Sequence, residues 1–150
     1  MMNKSEKIKY LTDKSTQIEV LEHLEICNNY FVPPLNSTVD LEMYSKKIHQ
    51  NALKFEAWFS QKLIGLIAVY KNDIEMSLYI TNVSVEKNFE GNGIANSLLE
   101  KVVQYGKTNK FIKINLEVNK NNKIAIQLYK KHNFVKESEN YNNFYYELKI

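Results

Sequence analysis

The chain contains no arginine: all 20 of its basic residues are lysines, set against 17 acidic residues. Arginine supplies the planar, forked group that binds a phosphate or a carboxylate through two parallel hydrogen bonds. Without it, an anion must be bound by backbone N–H groups or by the point charges of lysines. The formal net charge of +3 is close to balance, which argues against a nucleic-acid-binding protein that depends on a strong basic field.

Cysteine and long apolar runs are scarce as well. The single cysteine, Cys27, cannot form an intrachain disulfide, which fits a reducing compartment. The longest apolar stretch, Leu63–Tyr70, is far shorter than the ~20 residues of a membrane-spanning helix. The first residues, with Lys4, Glu6 and Lys7, have no apolar signal core. We therefore expect a soluble, cytoplasmic protein without a membrane partner, in which residues 1–150 form one domain.

Hydrophobic spacing predicts the element order β, α, α, β, β, β, α, β, α, β, β. The expected helices run from Thr16 toward Pro33–Pro34, from a Ser37–Asp40 segment that resembles a capping box to Ala52, from Ile94 to Lys107, and from Asn121 or Asn122 to His132. The expected strands are Ile8–Leu11, Leu53–Phe59, Leu63–Tyr70, Met76–Val85, Phe111–Val118, Phe134–Glu139 and Phe144–Leu148. Such a run predicts an α+β (mixed α/β) fold on a largely antiparallel sheet.

One of these strands changes parity. Its apolar side chains occupy even positions up to Ile80 and odd positions from Val83 onward. A slip of one residue near Thr81–Asn82 is typical of a β-bulge, which would interrupt the ladder and separate this strand from its neighbour. The alternative is that Thr81–Asn82 only marks the end of the strand.

The stretch after this strand contains two of the four glycines, Gly91 and Gly93, where a helix begins. Free backbone N–H groups at such a point suit a phosphate. A dinucleotide-binding fingerprint with Glu117 as the ribose ligand fails, because Asn96 stands where the third glycine is needed. A phosphate-binding loop of the NTPase type fails because no Gly-Lys-Ser/Thr follows. A glycine-rich turn without a ligand stays open.

Two motifs in this order are similar to those of the GCN5-related N-acetyltransferase (GNAT) superfamily. Asn88-x-x-Gly91-x-Gly93 resembles its pyrophosphate loop, and Asn122-x-x-Ala125-x-x-x-Tyr129-x-x-x-Asn133-Phe134 resembles its fourth helix. The chain departs from the family pattern at Asn88, at Glu90, where a basic residue is common, and at Asn133, where glycine is usual. The resemblance implies a twisted, mostly antiparallel sheet of 6–7 strands with helices on both faces, splayed between strands 4 and 5.

The resemblance also implies acetyl-coenzyme A as the cosubstrate, an amine as the acceptor, and no metal. The pantetheine arm would enter the splayed strands, the pyrophosphate would contact N–H groups from Gly91 to Ile94, and an N–H near Val85 would polarise the thioester. Glu117 is the expected base and Tyr129 the expected acid. The expected coenzyme contacts are Val83, Ser84, Val85, Asn88, Phe89, Glu90, Gly91, Asn92, Gly93, Ile94, Ala95, Asn122, Ala125 and Tyr129.

Several alternatives stay open from the sequence. Glu117 would otherwise be a solvated acid at a strand end and Tyr129 a core aromatic, while Glu75, Tyr79 and Asn82 are alternative base or substrate positions. The whole chain would otherwise be a catalytically silent module that binds acyl-coenzyme A. The acceptor would be a small amine, an amino sugar or a peptide N-terminus, and the protein a monomer or homodimer.

The determinants of the acceptor are expected outside the two motifs. They should lie in Asn28–Asp40 and at the hairpin tip Asn140–Asn143. His23 and Cys27 lie one turn apart on the first helix, but two ligands do not make a metal site, and we expect them on a solvated face.

Overall fold

The computed structural model describes residues 7–150, which fold into seven strands and four helices. The strands are β1 (Lys9–Thr12), β2 (Leu53–Phe59), β3 (Lys62–Asn72), β4 (Ser77–Val85), β5 (Lys113–Asn119), β6 (Val135–Glu139) and β7 (Asn143–Lys149). The helices are α1 (Gln17–Cys27), α2 (Leu41–Asn51), α3 (Ile94–Thr108) and α4 (Lys123–Lys131). The sheet order is β1-β2-β3-β4-β5-β7-β6, and of these pairs only β4 and β5 are parallel. The predicted α+β class and element order are confirmed.

The first two helices differ from their predicted ends. A capping box of Thr16 and Glu19 begins α1, which ends at Cys27 instead of continuing toward the prolines. The side chain of Asn28 accepts a hydrogen bond from the N–H of Asn36 at 2.8 Å, so it holds the following loop. The predicted Ser37 capping box is wrong, because Asp40 begins α2 by accepting from the N–H of Met43 at 2.9 Å.

The parity slip in β4 is a β-bulge. Ala68 pairs with Asn82 and the next residue, Val69, pairs with Ile80, so Thr81 is the additional residue. The parallel pairing of β4 with β5 ends at the same level, with Ile80 opposite Leu116. Beyond it, β4 stays paired with β3 and β5 with β7. The two strands therefore separate where the bulge predicted a splay.

The two faces of the sheet bury separate clusters. Along β3, Ile67 and Val69 belong to the cluster under α3 and α4, whereas Leu66 and Ala68 belong to the cluster under α1 and α2. This alternation follows from the period of two, and it confirms helices on both faces. Within residues 7–150, no helix is long and apolar enough to cross a membrane.

Candidate active site

The loop before α3 has the backbone shape that its two glycines predict. Gly91 and Gly93 have φ values of 84° and 71°, in the left-handed region that other residues rarely adopt. A Cβ atom at either position would meet nothing within 4 Å. The glycines are therefore needed for the backbone conformation, and the space above the loop is open.

The N-terminus of α3 presents free hydrogen-bond donors to this space. The first helical bond runs from the N–H of Ser97 to the carbonyl of Gly93 at 3.0 Å. The N–H groups of Ile94, Ala95 and Asn96 therefore have no partner within the helix, and no side chain caps it. These free donors and the helix dipole suit an anion, and the arrangement needs no arginine.

Most side chains of this loop hold its own structure. The amide of Asn92 donates to the carbonyl of Phe89 at 2.9 Å, and the ring of Phe89 packs 5.2 Å from that of Phe59. Ile94 is buried, while Asn88 and Glu90 are exposed. The ammonium group of Lys87 lies over the ring of Tyr30, 4.9 Å from its centroid. The loop therefore offers a ligand mainly its backbone.

The strand before the loop also offers mainly backbone. Ser84 is buried, and its hydroxyl donates to the Oδ1 atom of Asn82 at 2.8 Å. Val83 and Val85 are half-buried and point to the other face of the sheet, where they pack against the cluster under α3 and α4. A ligand in the gap beside β4 would thus meet the main chain of residues 83–85.

A cavity of about 170 Å³ lies where β4 and β5 separate. It brings together the predicted residues Val83, Glu117, Asn122 and Tyr129 with the alternative Asn82. The rest of its wall consists of Phe31, Val32, Pro33, Leu35, Thr38, Ile80, Thr81, Val118 and Asn119. The segment between α1 and α2 thus covers the cavity, in the region that we expected to determine the acceptor.

The fourth helix orients Tyr129 toward this cavity. Asn122 caps the helix by accepting from the N–H of Ala125 at 3.2 Å, and Asn133 ends it with a φ of 70°, as predicted. Tyr129 is 5% exposed. Burial, and next the neighbouring Tyr79, raise the pKa of the Tyr129 hydroxyl well above its usual range. Tyr129 therefore keeps its proton at neutral pH.

Glu117 also lines the cavity and is exposed near the C-terminal end of β5. Its Oε1 atom accepts a hydrogen bond from the amide of Asn143 at 2.6 Å, so β7 orients the carboxylate. Burial, followed by the charge of Glu117, raises the pKa of Tyr79, which lies on β4 and pairs with Asn115 of β5. Glu75 lies in the turn before β4 and does not line the cavity.

Sequence reasoning missed the burial of His23 and Cys27 on α1. His23 and Cys27 are 1% and 2% exposed, so the expected solvated face is wrong. The Nε2 atom of His23 lies 2.9 Å from the hydroxyl of Ser84, which supplies the partner that burial requires. The spacing could have predicted the burial of His23, because this residue lies between Val20 and Leu24 in the apolar stripe of the helix. In the part of the chain that the structure describes, no three His, Cys, Asp or Glu residues are grouped to hold a metal ion.

Comparison with known proteins defines the class. The model of the acetyltransferase (GNAT) family matches residues 19–134, and the chain belongs to this family. No curated protein matches the chain.

Solved structures share the fold. PaiA N-acetyltransferase from Thermoplasma acidophilum, in complex with coenzyme A, is 16% identical with a TM-score of 0.77, over 96% of this chain and 99% of that chain. The ribosomal-protein-S18-alanine N-acetyltransferase from Escherichia coli is 17% identical with a TM-score of 0.72, over 97% and 94%. A GNAT acetyltransferase from Staphylococcus aureus Mu50 is 19% identical with a TM-score of 0.77, over 95% and 99%. At these identities the likeness shows the fold alone.

Proposed function

We propose that residues 1–150 form one N-acetyltransferase domain, which transfers the acetyl group of acetyl-coenzyme A directly to a primary amine. The cavity between β4 and β5 carries this proposal, because Glu117 and Tyr129 both line it. A carboxylate and a protonated hydroxyl are the base and the acid that aminolysis of a thioester needs. The acceptor would be a small amine, an amino sugar or a peptide N-terminus.

The described residues fit the cosubstrate. The pyrophosphate would accept hydrogen bonds from the N–H groups at the start of α3, where the glycines leave open space. The amide-bearing pantetheine arm would run beside residues 83–85 as an additional strand, because β5 does not pair with β4 there. The thioester would then reach the cavity, next to Asn122 and Tyr129. An N–H near Val85 would polarise its carbonyl.

Two proton transfers accompany the acetyl transfer, one to Glu117 and one from Tyr129. Glu117, directly or through a water, accepts a proton from the amine, whose nitrogen attacks the thioester carbon to form the C–N bond. The C–S bond breaks, and the coenzyme A thiolate takes the proton of Tyr129. The raised pKa of Tyr129 keeps this proton available before the reaction and lets the hydroxyl regain it from solvent afterwards.

The first test is a coenzyme A release assay with polyamines, aminoglycosides, amino sugars and peptides with free N-termini. We expect Tyr129→Phe to lower kcat about 100-fold on the accepted amine. Its acetyl-coenzyme A affinity, measured by calorimetry, should stay within about threefold of the wild type, since the phenol ring remains. Tyr146→Phe is the matched control, because Tyr146 is also buried and its ring lies 6.5 Å from that of Tyr129.

The outcomes separate the proposal from its alternative. Binding of acetyl-coenzyme A without release on any amine would support a silent coenzyme-binding module. Absence of a thermal shift at saturating acetyl-coenzyme A would reject the coenzyme assignment itself. Equal kcat values for Tyr129→Phe and wild type would remove Tyr129 as the acid.

A further inference from the structure

We propose that a chain of hydrogen bonds in two parts, one through His23, Ser84 and Asn82 and one from Tyr44, positions the bulge of β4 and thereby the cavity wall that the bulge residues form. The chain links three elements: His23 belongs to α1, Tyr44 to α2, and the other two residues to β4. The part from Tyr44 ends at the carbonyl oxygen of Thr81, the additional residue of the bulge. The inference rests on the proposed function, since the wall that it positions belongs to the proposed acceptor cavity.

The direction of the first hydrogen bonds follows from the groups involved. The amide oxygen of Asn82 can only accept, so Ser84 donates its single proton to it at 2.8 Å. Ser84 must then accept from His23, whose Nε2 atom is 2.9 Å away and carries the proton. Burial lowers the pKa of His23 to about 4, so the ring is neutral and has this one donor.

The second part of the chain holds the bulge itself. The Tyr44 hydroxyl donates to the carbonyl of Thr81 at 2.7 Å and lies 2.8 Å from the hydroxyl of the same residue. Thr81 and Asn82 are consecutive residues of the bulge, so the two parts hold neighbouring positions of the same strand. A bulge residue lacks a ladder partner, and Tyr44 supplies the hydrogen bond that the ladder does not.

The position of the bulge is important because its residues form the cavity wall. Thr81, Asn82 and Val83 line the cavity together with Glu117 and Tyr129. A strand with a bulge can shift its register or twist unless further contacts fix it. Asn82 is 4% exposed with its amide oxygen bound by Ser84, so its orientation depends on the chain from His23. His23, Ser84 and Tyr44 are therefore positioning residues that need not touch a substrate.

A chain that only fills space would behave differently from one that positions the wall. Loss of packing lowers the melting temperature without changing kinetics well below it. Loss of position changes turnover and the local protection of the bulge backbone. Val20→Ala is the control, because Val20 is also buried on α1 but belongs to the apolar cluster and makes none of these hydrogen bonds.

The experiment compares Ser84→Ala, Tyr44→Phe and Val20→Ala with the wild type by steady-state kinetics and by hydrogen exchange of residues 81–83. We expect the first two variants to lower kcat over the acceptor KM about tenfold and to speed exchange about tenfold, as loss of one buried hydrogen bond implies. Their acetyl-coenzyme A KM should stay within about threefold, because the α3 loop is intact. Ser84→Thr, which keeps the hydroxyl, should restore both readouts, and Val20→Ala should change neither.

Each result decides the matter. Wild-type kinetics and exchange in both Ser84→Ala and Tyr44→Phe, with only a lower melting temperature, would overturn the proposal. If Ser84→Ala does not fold, Tyr44→Phe still tests it, since that variant removes one hydroxyl from a half-buried ring. If the wild type acetylates no amine, the proposed function fails. Unchanged exchange at residues 81–83 would then overturn the inference separately, and faster exchange would support it.

Discussion

The sheet packs its two faces by different means. Under α3 and α4 the contacts are almost wholly apolar, with Ile67 and Leu78 of the sheet against Leu98 of the helix. Under α1 and α2, apolar residues share the interior with buried polar side chains, which include Lys54, His23 and Glu56. Apolar packing excludes water but does not fix the orientation of the packed groups. Buried polar groups, in contrast, must form hydrogen bonds with a defined geometry.

The difference in packing matches the part of the candidate site that each face supports. The apolar face supports the N-terminus of α3, where the ligand contacts are backbone groups already aligned by the helix. The polar face lies behind β4 at the bulge, where no regular ladder aligns the backbone. Directed hydrogen bonds from His23 and Tyr44 take over that role. Three changes test this comparison, from the largest expected effect to the smallest.

Glu56→Gln should damage the polar face most. The carboxylate of Glu56 is fully buried and accepts from the N–H groups of Lys14 at 2.9 Å and Ser15 at 3.0 Å, from the Ser15 hydroxyl, and from Trp58 Nε1 at 3.2 Å. Glutamine has one acceptor oxygen and turns two donors toward these donors. We expect a loss of about 3 kcal/mol, which lowers Tm by about 6–12 °C in calorimetry.

The control for this change is an exposed glutamate on α1. Glu22→Gln alters the same charge without a buried partner and should stay within about 0.5 kcal/mol of the wild type. Equal melting temperatures for Glu56→Gln and Glu22→Gln would mean that the donors around Glu56 rearrange freely. The packing of the polar face would then not depend on directed hydrogen bonds, which contradicts the proposed difference between the two faces.

The polar face should also make the free energy of unfolding depend on pH. Burial lowers the pKa of His23 to about 4 in the folded protein, from 6.5 when solvated. Between these values the unfolded chain binds more protons, so stability falls as pH falls from 6.5 toward 4. The contribution lost is about 2 kcal/mol by pH 5. His23→Gln should remove this part of the slope in urea unfolding.

The counterpart on the apolar face should show no such slope. Leu98→Ala empties space in a cluster whose buried members include no carboxylate and no histidine, and it should cost about 2–5 kcal/mol throughout this pH range. Its difference from the wild type should therefore stay constant from pH 7.5 to 4.5. A constant difference for His23→Gln as well would show that His23 does not titrate as a buried neutral ring.

Features set by neighbouring residues could be predicted from the sequence. The bulge at Thr81 follows from strand parity, and the caps at Asn122 and Asn133 follow from residue type and spacing. The buried polar contacts could not be predicted, because their partners are distant in the chain. His23 meets Ser84 61 positions away, and Glu56 meets Ser15 41 positions away. The apolar stripe places His23 on the buried side of α1 but does not identify its partner, and local pattern gives a glutamate in a strand no reason to be buried.

The candidate site divides in the same way. The Gly91–Gly93 loop and Tyr129 were recognisable because each belongs to a motif of fixed spacing. The contact of Glu117 with Asn143 joins residues 26 positions apart, through the pairing of β5 with β7. The role of Tyr44 depends on where α2 crosses the sheet, which hydrophobic periodicity does not specify.

Gly93→Ala should have the smallest effect on stability and a different effect on binding. Its φ of 71° costs an alanine about 1 kcal/mol, or about 2–4 °C in Tm, while no neighbour opposes a Cβ atom. Gly93→Asn should cost less, because asparagine tolerates this region, as Asn133 does at a φ of 70°. Both variants place a side chain where an anion would approach, so acetyl-coenzyme A KM should rise while the exchange of residues 81–83 stays unchanged. That is the reverse of the result expected for Ser84→Ala. Gly93→Ala could instead alter exchange at the bulge and leave acetyl-coenzyme A KM unchanged. Coenzyme binding and the position of the bulge would then not depend on separate faces of the sheet.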